Sequence, residues 1–476
     1  MHTRQGTAMA LAMAKAAGTA RGAQAPGPGL RIAMVTTFYP PYHFGGDAIY
    51  VQRLARALVA RGHHVEVIHD TDGYRAMTGT TPALPAPHPD DPVVHRLASR
   101  NPRLASLSVQ QLGRPTLHAR RLHALLDGRF DVIHFHNVSL IGGPAIWKIG
   151  TGVKLHMAHE HWLVCPTHIL WRDNREICDA RRCLRCVLRH HRPPQLWRAT
   201  DLIAREARHV DRFLTLSRSA AANHRAFGFG PEMTVFPSFL PKAEAAPAGI
   251  APGAAAAGDA PSRPYFLFVG RLEVIKGLQA VIPEFDAAMP ADLLIAGDGA
   301  YEGALRRLAE GRANVRFLGR QTMEELRHLY RGARAVLTPS NCYEVFPLVV
   351  LEAFRDSAPV IARDLGPYPE ILAETGAGRL FRDRDELRAA LLHYAGDAAA
   401  AARDGARGRA AFERQWSEDV VIAQYFRLIA AAADEKGLTA TAGRALAEAG
   451  RTVPDPAPCP PEASPRPPCP LAGAAE

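Results

Sequence analysis

The chain has 476 residues, 47% of them hydrophobic and 22% charged, with 7 cysteines and a formal net charge of +10. That length suits two or three domains with sizeable cores, and the apolar content excludes a chain disordered throughout. The cysteines are too few for a secreted disulfide scaffold, and no apolar run approaches the roughly eighteen residues that span a bilayer, so a soluble protein of a reducing, cytoplasmic compartment is expected.

Residues 1–29, rich in Ala and Gly, read as a disordered leader. The first strand of buried type begins at Arg31 with RIAMVT and runs out into a Pro-Pro loop that carries Gly45 and Gly46. Ile49, Leu54, Ala55 and Leu58 then recur at helical spacing, and Gly62 stands just past the helix end before the strand HVEVI. Strand, glycine loop, helix and strand make a right-handed βαβ unit. DVIHFH (131–136), VKLHMAH (153–159) and residues 213–216 continue the series, so residues 30–241 read as one doubly wound α/β domain. Residues 242–263, dominated by Ala, Pro and Gly, read as a linker. A second series, YFLFVGRL, ADLLIAG, NVRFLG, ARAVLTPS and APVIAR, makes residues 264–415 another domain of the same kind. A last amphipathic helix is expected over 416–433, free to pack back on the first domain, and residues 452–476 read as a disordered Pro-rich tail. Two doubly wound domains imply a ligand cleft at the carboxyl ends of their strands.

The densest chemistry lies in residues 341–370, NCYEVFPLVVLEAFRDSAPVIARDLGPYPE. Glu344 falls in the loop after a strand, Pro347 suits the start of a helix, and seven residues separate Glu344 from Glu352. In that arrangement the N–H groups near Leu348 and Val349 leave the helix N-terminus unpaired and make a phosphate site. Glu352 can face the same cleft and accept hydrogen bonds from vicinal hydroxyls such as those of a ribose, and Glu344 can do the same for a sugar.

This segment resembles glycosyltransferase family 4, the retaining nucleotide-sugar enzymes of GT-B type, whose signature is two glutamates with seven residues between. VGRLEVIKG (269–277) resembles the family's Gly-Arg and Lys-Gly element, which implies that Arg271 and Lys276 contact the donor pyrophosphate. The resemblance also implies that Gly319 and Arg320 lie near the base and diphosphate, and that Gly45 and Gly46 let backbone approach the donor phosphates. By position in HMAHEHWLVCP it carries over His159, beside Glu160, as the pocket histidine, with His156 and His161 as nearby alternatives. Ser238 and Phe239 stand where the family more usually has Asn-Gly. The implied fold is α/β, GT-B, with two Rossmann-like domains facing a central cleft. The implied reaction moves a sugar from a nucleotide-diphosphate sugar to a hydroxyl, with retention and without a catalytic metal, in polysaccharide, glycolipid or other cell-envelope glycan synthesis. Glu344 would orient the donor sugar and Glu352 the ribose.

Four of the seven cysteines cluster, Cys165, Cys178, Cys183 and Cys186, with gaps of 12, 4 and 2 residues. Four thiolates can complete a structural zinc site, which is preferred to an iron–sulfur cluster; the alternative is reduced thiols lining a loop. Over residues 172–218, 12 Arg stand against 6 Asp or Glu, so +6 of the +10 falls there. That patch contains no nucleic-acid module, and it invites an anionic acceptor or peripheral contact with the inner face of a membrane. A dehydrogenase is disfavoured because GDGAYEG (297–303) has the wrong glycine spacing. Asp70-Thr71-Asp72, which would suit a metal-dependent transferase, reads as a strand-end turn. A basic, metal-binding interaction protein without transferase activity accounts for the cysteines and arginines alone, and leaves the second domain unexplained.

Overall fold

Continuous apolar runs can be satisfied only as strands covered on both faces, and the chain builds two such sheets. The computed structural model describes residues 29–173, 175–242 and 263–452. Apart from their end residues, the leader, linker and tail inferred from composition lie outside the described residues.

The first sheet takes β1 (Arg31–Thr36), β2 (His64–Asp70), β3 (Val93–Leu97), β4 (Val132–Phe135) and β5 (Val153–Ala158). After a separate hairpin of β6 (Trp171–Arg172) and β7 (Glu176–Ile177), β8 (Arg212–Thr215) and β9 (Met233–Val235) complete it. The order is β3-β2-β1-β4-β5-β8-β9, and its pairings are parallel. The second sheet takes β10 (Tyr265–Val269), β11 (Asp292–Ala296), β12 (Val315–Gly319), β13 (Ala335–Thr338), β14 (Val360–Arg363) and β15 (Gly378–Phe381), in the order β12-β11-β10-β13-β14-β15, again parallel. Each order reverses once, between β1 and β4 and between β10 and β13, and crossing loops part there to leave a crevice.

The helices that matter below are α1 (Gly46–Val59), α2 (Pro102–Leu112), α3 (Cys183–Arg189), α4 (Met323–Gly332), α5 (Leu348–Arg355), α6 (Glu418–Glu435) and α7 (Thr439–Thr452). Val350, Leu351 and Phe354 of α5 pack on Leu267, Leu294 and Val336 of the second sheet, which leaves Leu348, Val349 and Glu352 on the less buried side. Helix α6 follows the second domain in sequence yet covers the first: Val421, Ile422, Tyr425, Phe426 and Ile429 share a core with Ile32, Met34, Val132 and Leu155. Each such side chain removed from water contributes about 1.5–3 kcal/mol, so the crossing helix ties the two domains together. Helix α7, outside the elements legible in the sequence, packs Ala445 and Ala449 into the same core.

Candidate active site

The carboxyl ends of β1, β4, β10 and β13 open on one cleft of about 1,370 Å³ between the domains. The first domain contributes Gly45, Gly46, Asp47, Asn137, His159 and Glu160; the second contributes Arg271, Lys276, Ser340, Glu344, Leu348 and Val349. Both topological reversals therefore face the same space.

In the second domain, local backbone chemistry sets the lysine. Lys276 ends a short 3-10 turn, Val274–Lys276, and is followed by Gly277 at φ 78°. A Cβ on Gly277 would stand 1.9 Å from the carbonyl oxygen of Pro339, so only glycine lets the loop after β10 close on the loop after β13. That approach brings Lys276 Nζ within 2.6 Å of Glu344 Oε1, which also accepts from Ser340 Oγ at 2.9 Å. Burial pulls the Lys276 ammonium down, but the Glu344 carboxylate outweighs it and holds the group above its ordinary value. Burial likewise pushes Glu344 up, and Lys276 with Ser340 brings it below its ordinary value, so both stay charged. Arg271 is more exposed and donates to Glu273 at 2.6 Å.

Pro347 brings no N–H to the start of α5, and the first-turn N–H groups of Leu348 and Val349 have no acceptor within the helix. The glycine loop of the other domain lies against them: a Cβ on Gly46 would stand 3.4 Å from Leu348 Cδ1. Glu352, one turn on, lies outside this lining and accepts the Tyr330 hydroxyl of α4 at 2.7 Å. Gly319 and Arg320 also lie outside it. Gly319 ends β12, the edge strand two places from the reversal, and Arg320 follows it with its side chain 82% exposed and paired with Asp298 at 2.7 Å.

In the first domain, His159 lies in the cleft with its Nε2 3.0 Å from Nδ1 of His136, and Tyr50 packs edge-on against it. Burial holds it neutral, its pKa lowered to about 4 against the pull of Asp47. His156 and His161 are buried behind the wall, the first accepting from Trp147 Nε1 at 3.3 Å and the second stacked on His224. Ser238 reaches the cleft, whereas Phe239 packs in the core beside Tyr50. A polar chain invisible in any one motif joins these parts: Asn137 Nδ2 donates to Asp47 and to Glu160, each at 3.3 Å, and Glu160 pairs with His168 at 2.5 Å. Asn137 ends the stretch DVIHFHN, and that was its only signal in the sequence.

The four cysteines line a separate cavity of about 20 Å³ that shares Pro166 and Thr167 with the wall of the main cleft. Burial and the neighbouring thiols push Cys178 up to about 11. Much of the arginine patch is internally paired: Arg172 with Glu176 and Asp179, Arg205 with Asp201, Arg212 with Glu435, and Arg218 with Glu370 and Glu374. Arg198 is stacked over Trp197 and Trp162. Arg192 instead reaches the cleft, beside Arg103 and His190.

Comparison with known proteins places these observations. A model described as Glycosyltransferase Family 4 matches residues 44–241, and one described as Glycosyl transferases group 1 matches residues 263–397. Glycogen synthase of Mycobacterium tuberculosis is 29% identical over 415 residues, 82% of this chain and 91% of its own. A phosphatidyl-myo-inositol mannosyltransferase of Mycolicibacterium smegmatis is 27% identical over 413 residues, 84% of this chain and 93% of its own. Among solved structures, sucrose-phosphate synthase from Thermosynechococcus elongatus superposes with a TM-score of 0.61 at 20% identity, covering 85% of this chain and all of that one.

Proposed function

The chain belongs to glycosyltransferase family 4 and is a GT-B glycosyltransferase acting on a nucleotide-sugar donor, and from that premise we propose how this cleft performs the transfer. The donor diphosphate lies between Arg271, Lys276 and the free N–H groups of Leu348 and Val349, with Gly45 and Gly46 closing over it from the other domain. The acceptor oxygen attacks the anomeric carbon while the bond from that carbon to the phosphate oxygen breaks. The acceptor proton passes to the departing phosphate on the same face, which gives retention. Negative charge grows on the diphosphate as the bond breaks, and the cation and helix N-terminus take it up, so the chemistry requires no metal of its own. Glu344 orients the sugar hydroxyls, and neutral His159 meets the sugar from the first domain.

The observation that carries this reading is the Lys276–Glu344 pair, held 2.6 Å apart in a cleft whose far wall is the Gly45–Gly46 loop. A panel of nucleotide sugars, assayed for release of nucleoside diphosphate with and without hydroxyl acceptors, tests it; no release with any donor would sink it. Gly319 and Arg320, in the same sheet as the donor-binding groups, lie toward the base side of the donor. Glu352 receives the ribose, its carboxylate oriented by Tyr330. Glu352→Ala is expected to lower kcat/KM for the donor by about a hundredfold, the worth of two hydrogen bonds to a charged group. An unchanged kcat/KM would remove Glu352 from the site.

The acceptor side belongs to the first domain. The mannosyltransferase relative takes its name from a phosphatidylinositol lipid and the synthase relative from a glycan, and both kinds suit this wall. Arg103, Arg192 and His190 offer charge to an anionic acceptor. On the rim, α2 exposes Leu104 and Leu107, and α3 exposes Leu184 and Leu188, each followed by an arginine, Arg185 and Arg189. Apolar and cationic side chains interleaved in this way fit peripheral contact with an anionic membrane face. No helix among the described residues is long and apolar enough to cross a membrane.

A further inference from the structure

We propose that Cys165, Cys178, Cys183 and Cys186 are the four thiolate ligands of one structural zinc ion, which pins residues 165–192 into the acceptor-side wall of the cleft. The site is separate from the donor-binding groups, so it stands whether or not their assigned roles hold. The four cysteines come from three places, the loop after residue 164, the residue after β7 and the first turn of α3, and the fold closes them around one small cavity. All four are free thiols. No carboxylate or imidazole joins its lining, which otherwise consists of Pro166, Thr167, Trp171, Ala180, Arg172 and Arg182. A donor set of sulfur alone selects a thiophilic cation such as zinc, and four ligands leave no open position for catalysis.

Three further features agree. The backbone N–H of Asp173 already donates to Cys186 Sγ at 3.3 Å, the outer-shell contact that steadies a metal-bound thiolate. The segment has little regular structure to hold it: β6 and β7 have two residues each, and α3 has seven. Among the described residues, four of the five non-glycine residues with positive φ lie here, namely His168, Leu170, Asp173 and His191, a strain that persists only where surroundings enforce it. Finally, zinc with four thiolates carries a net charge of about −2. Arg182 borders the cavity, beside Arg172, whose own charge is already met by Glu176 and Asp179. Arg182 thereby supplies one positive charge of the excess over residues 172–218 to this centre. Among the described residues, no three of the sulfurs lie within 4.8 Å of one another, so binding would require them to move inward, to the spacing of about 3.8 Å that 2.3 Å zinc–sulfur bonds impose.

The test uses full-length protein purified without a polyhistidine tag. Elemental analysis is expected to find about one zinc per chain, released stoichiometrically by a mercurial reagent. Cobalt-grown protein should show the visible bands of a tetrahedral cobalt thiolate. Cys183→Ser and Cys186→Ser should each lower zinc below about 0.2 per chain, while Cys342→Ser leaves it unchanged. Releasing the zinc should speed tryptic cleavage within residues 172–192 by about tenfold or more, because the pinned segment opens. If the serine variants fail to fold, the wild-type zinc content and the cobalt spectrum still decide. Wild-type protein with less than about 0.2 zinc per chain, or with iron and sulfide in its place, overturns the proposal.

Discussion

Lys276→Ala is expected to lower turnover at saturating donor by about a thousandfold while the protein still folds. The cation is held where the leaving diphosphate must lie, between Arg271 and the N-terminus of α5, and its charge is maintained by Glu344 at 2.6 Å. A fully sealed ion pair costs about 3–5 kcal/mol when one partner is removed. Lys276 and Glu344 are 22% and 19% exposed, so a smaller loss of about 2 kcal/mol is expected, chiefly the price of leaving Glu344 unpaired. Lys276→Ala combined with Glu344→Gln separates the two roles. Removing the second charge should recover most of the thermal stability, because no buried charge is left over, and should recover none of the turnover, because the diphosphate still lacks its cation. Thermal melts and steady-state kinetics on the two variants are sufficient. A single variant that keeps more than about a tenth of wild-type turnover would show that the lysine serves only Glu344.

Which parts of this site can be read along the chain follows from how far apart their contacts are. Residues 335–363 carry a whole strand–loop–helix–strand unit, so Glu344, the start of α5 and Glu352 are fixed relative to one another by local geometry. The Lys-Gly element is also legible because its glycine has a local signature, although the reason for it, the approach of Pro339, belongs to another loop. The chain Asp47, Asn137, Glu160 and His168 joins the first turn of α1 to two separate loops and has no spacing to betray it. Tyr330 meets Glu352 only because α4 packs beside α5. Strand position also matters: the pair Gly319 and Arg320 stands at the end of a strand much as Gly270 and Arg271 do, but β12 is an edge strand and β10 is central. Short strands such as β9 and β15, and the Ala-rich α7, bury too little per residue to stand out from composition.

Lowering the pH from 7 to 5 is expected to destabilise the fold by several kcal/mol and to abolish transfer with it. Burial lowers the pKa values of His156 and His161 to about 3 and those of His69 and His159 to about 4, from an ordinary value of 6.5. In the unfolded chain these imidazoles take up protons near pH 6.5, while in the folded chain they stay neutral to about pH 4. The unfolded state therefore binds more protons in between, so the stability present above pH 6.5 is lost as pH falls through that window. At pH 5 each such histidine accounts for about 2 kcal/mol. Asp70 works the other way. Its carboxyl is pushed up to about 7 by burial and by Asp72, against the pull of His118 and of the Gly73 and Asp72 N–H groups, so its protonation in the folded state offsets about one histidine. A net loss on the order of 5 kcal/mol is comparable with the whole stability of a typical domain. The groups also reinforce one another: His134 and His136 lie with ring centroids 4.0 Å apart, His136 contacts His159, and charge on one opposes charge on the next. Of the groups facing this cluster, Asp47 alone pulls the other way, on His159, and Tyr425 closes the far end with its hydroxyl 3.1 Å from His134. Thermal melts between pH 8 and 4.5 should show a melting temperature that falls steeply below about 6.5, and His156→Asn should flatten that slope by about one proton. A melting temperature that stays level down to pH 5 would mean that water reaches these histidines, and with it the wall behind His159.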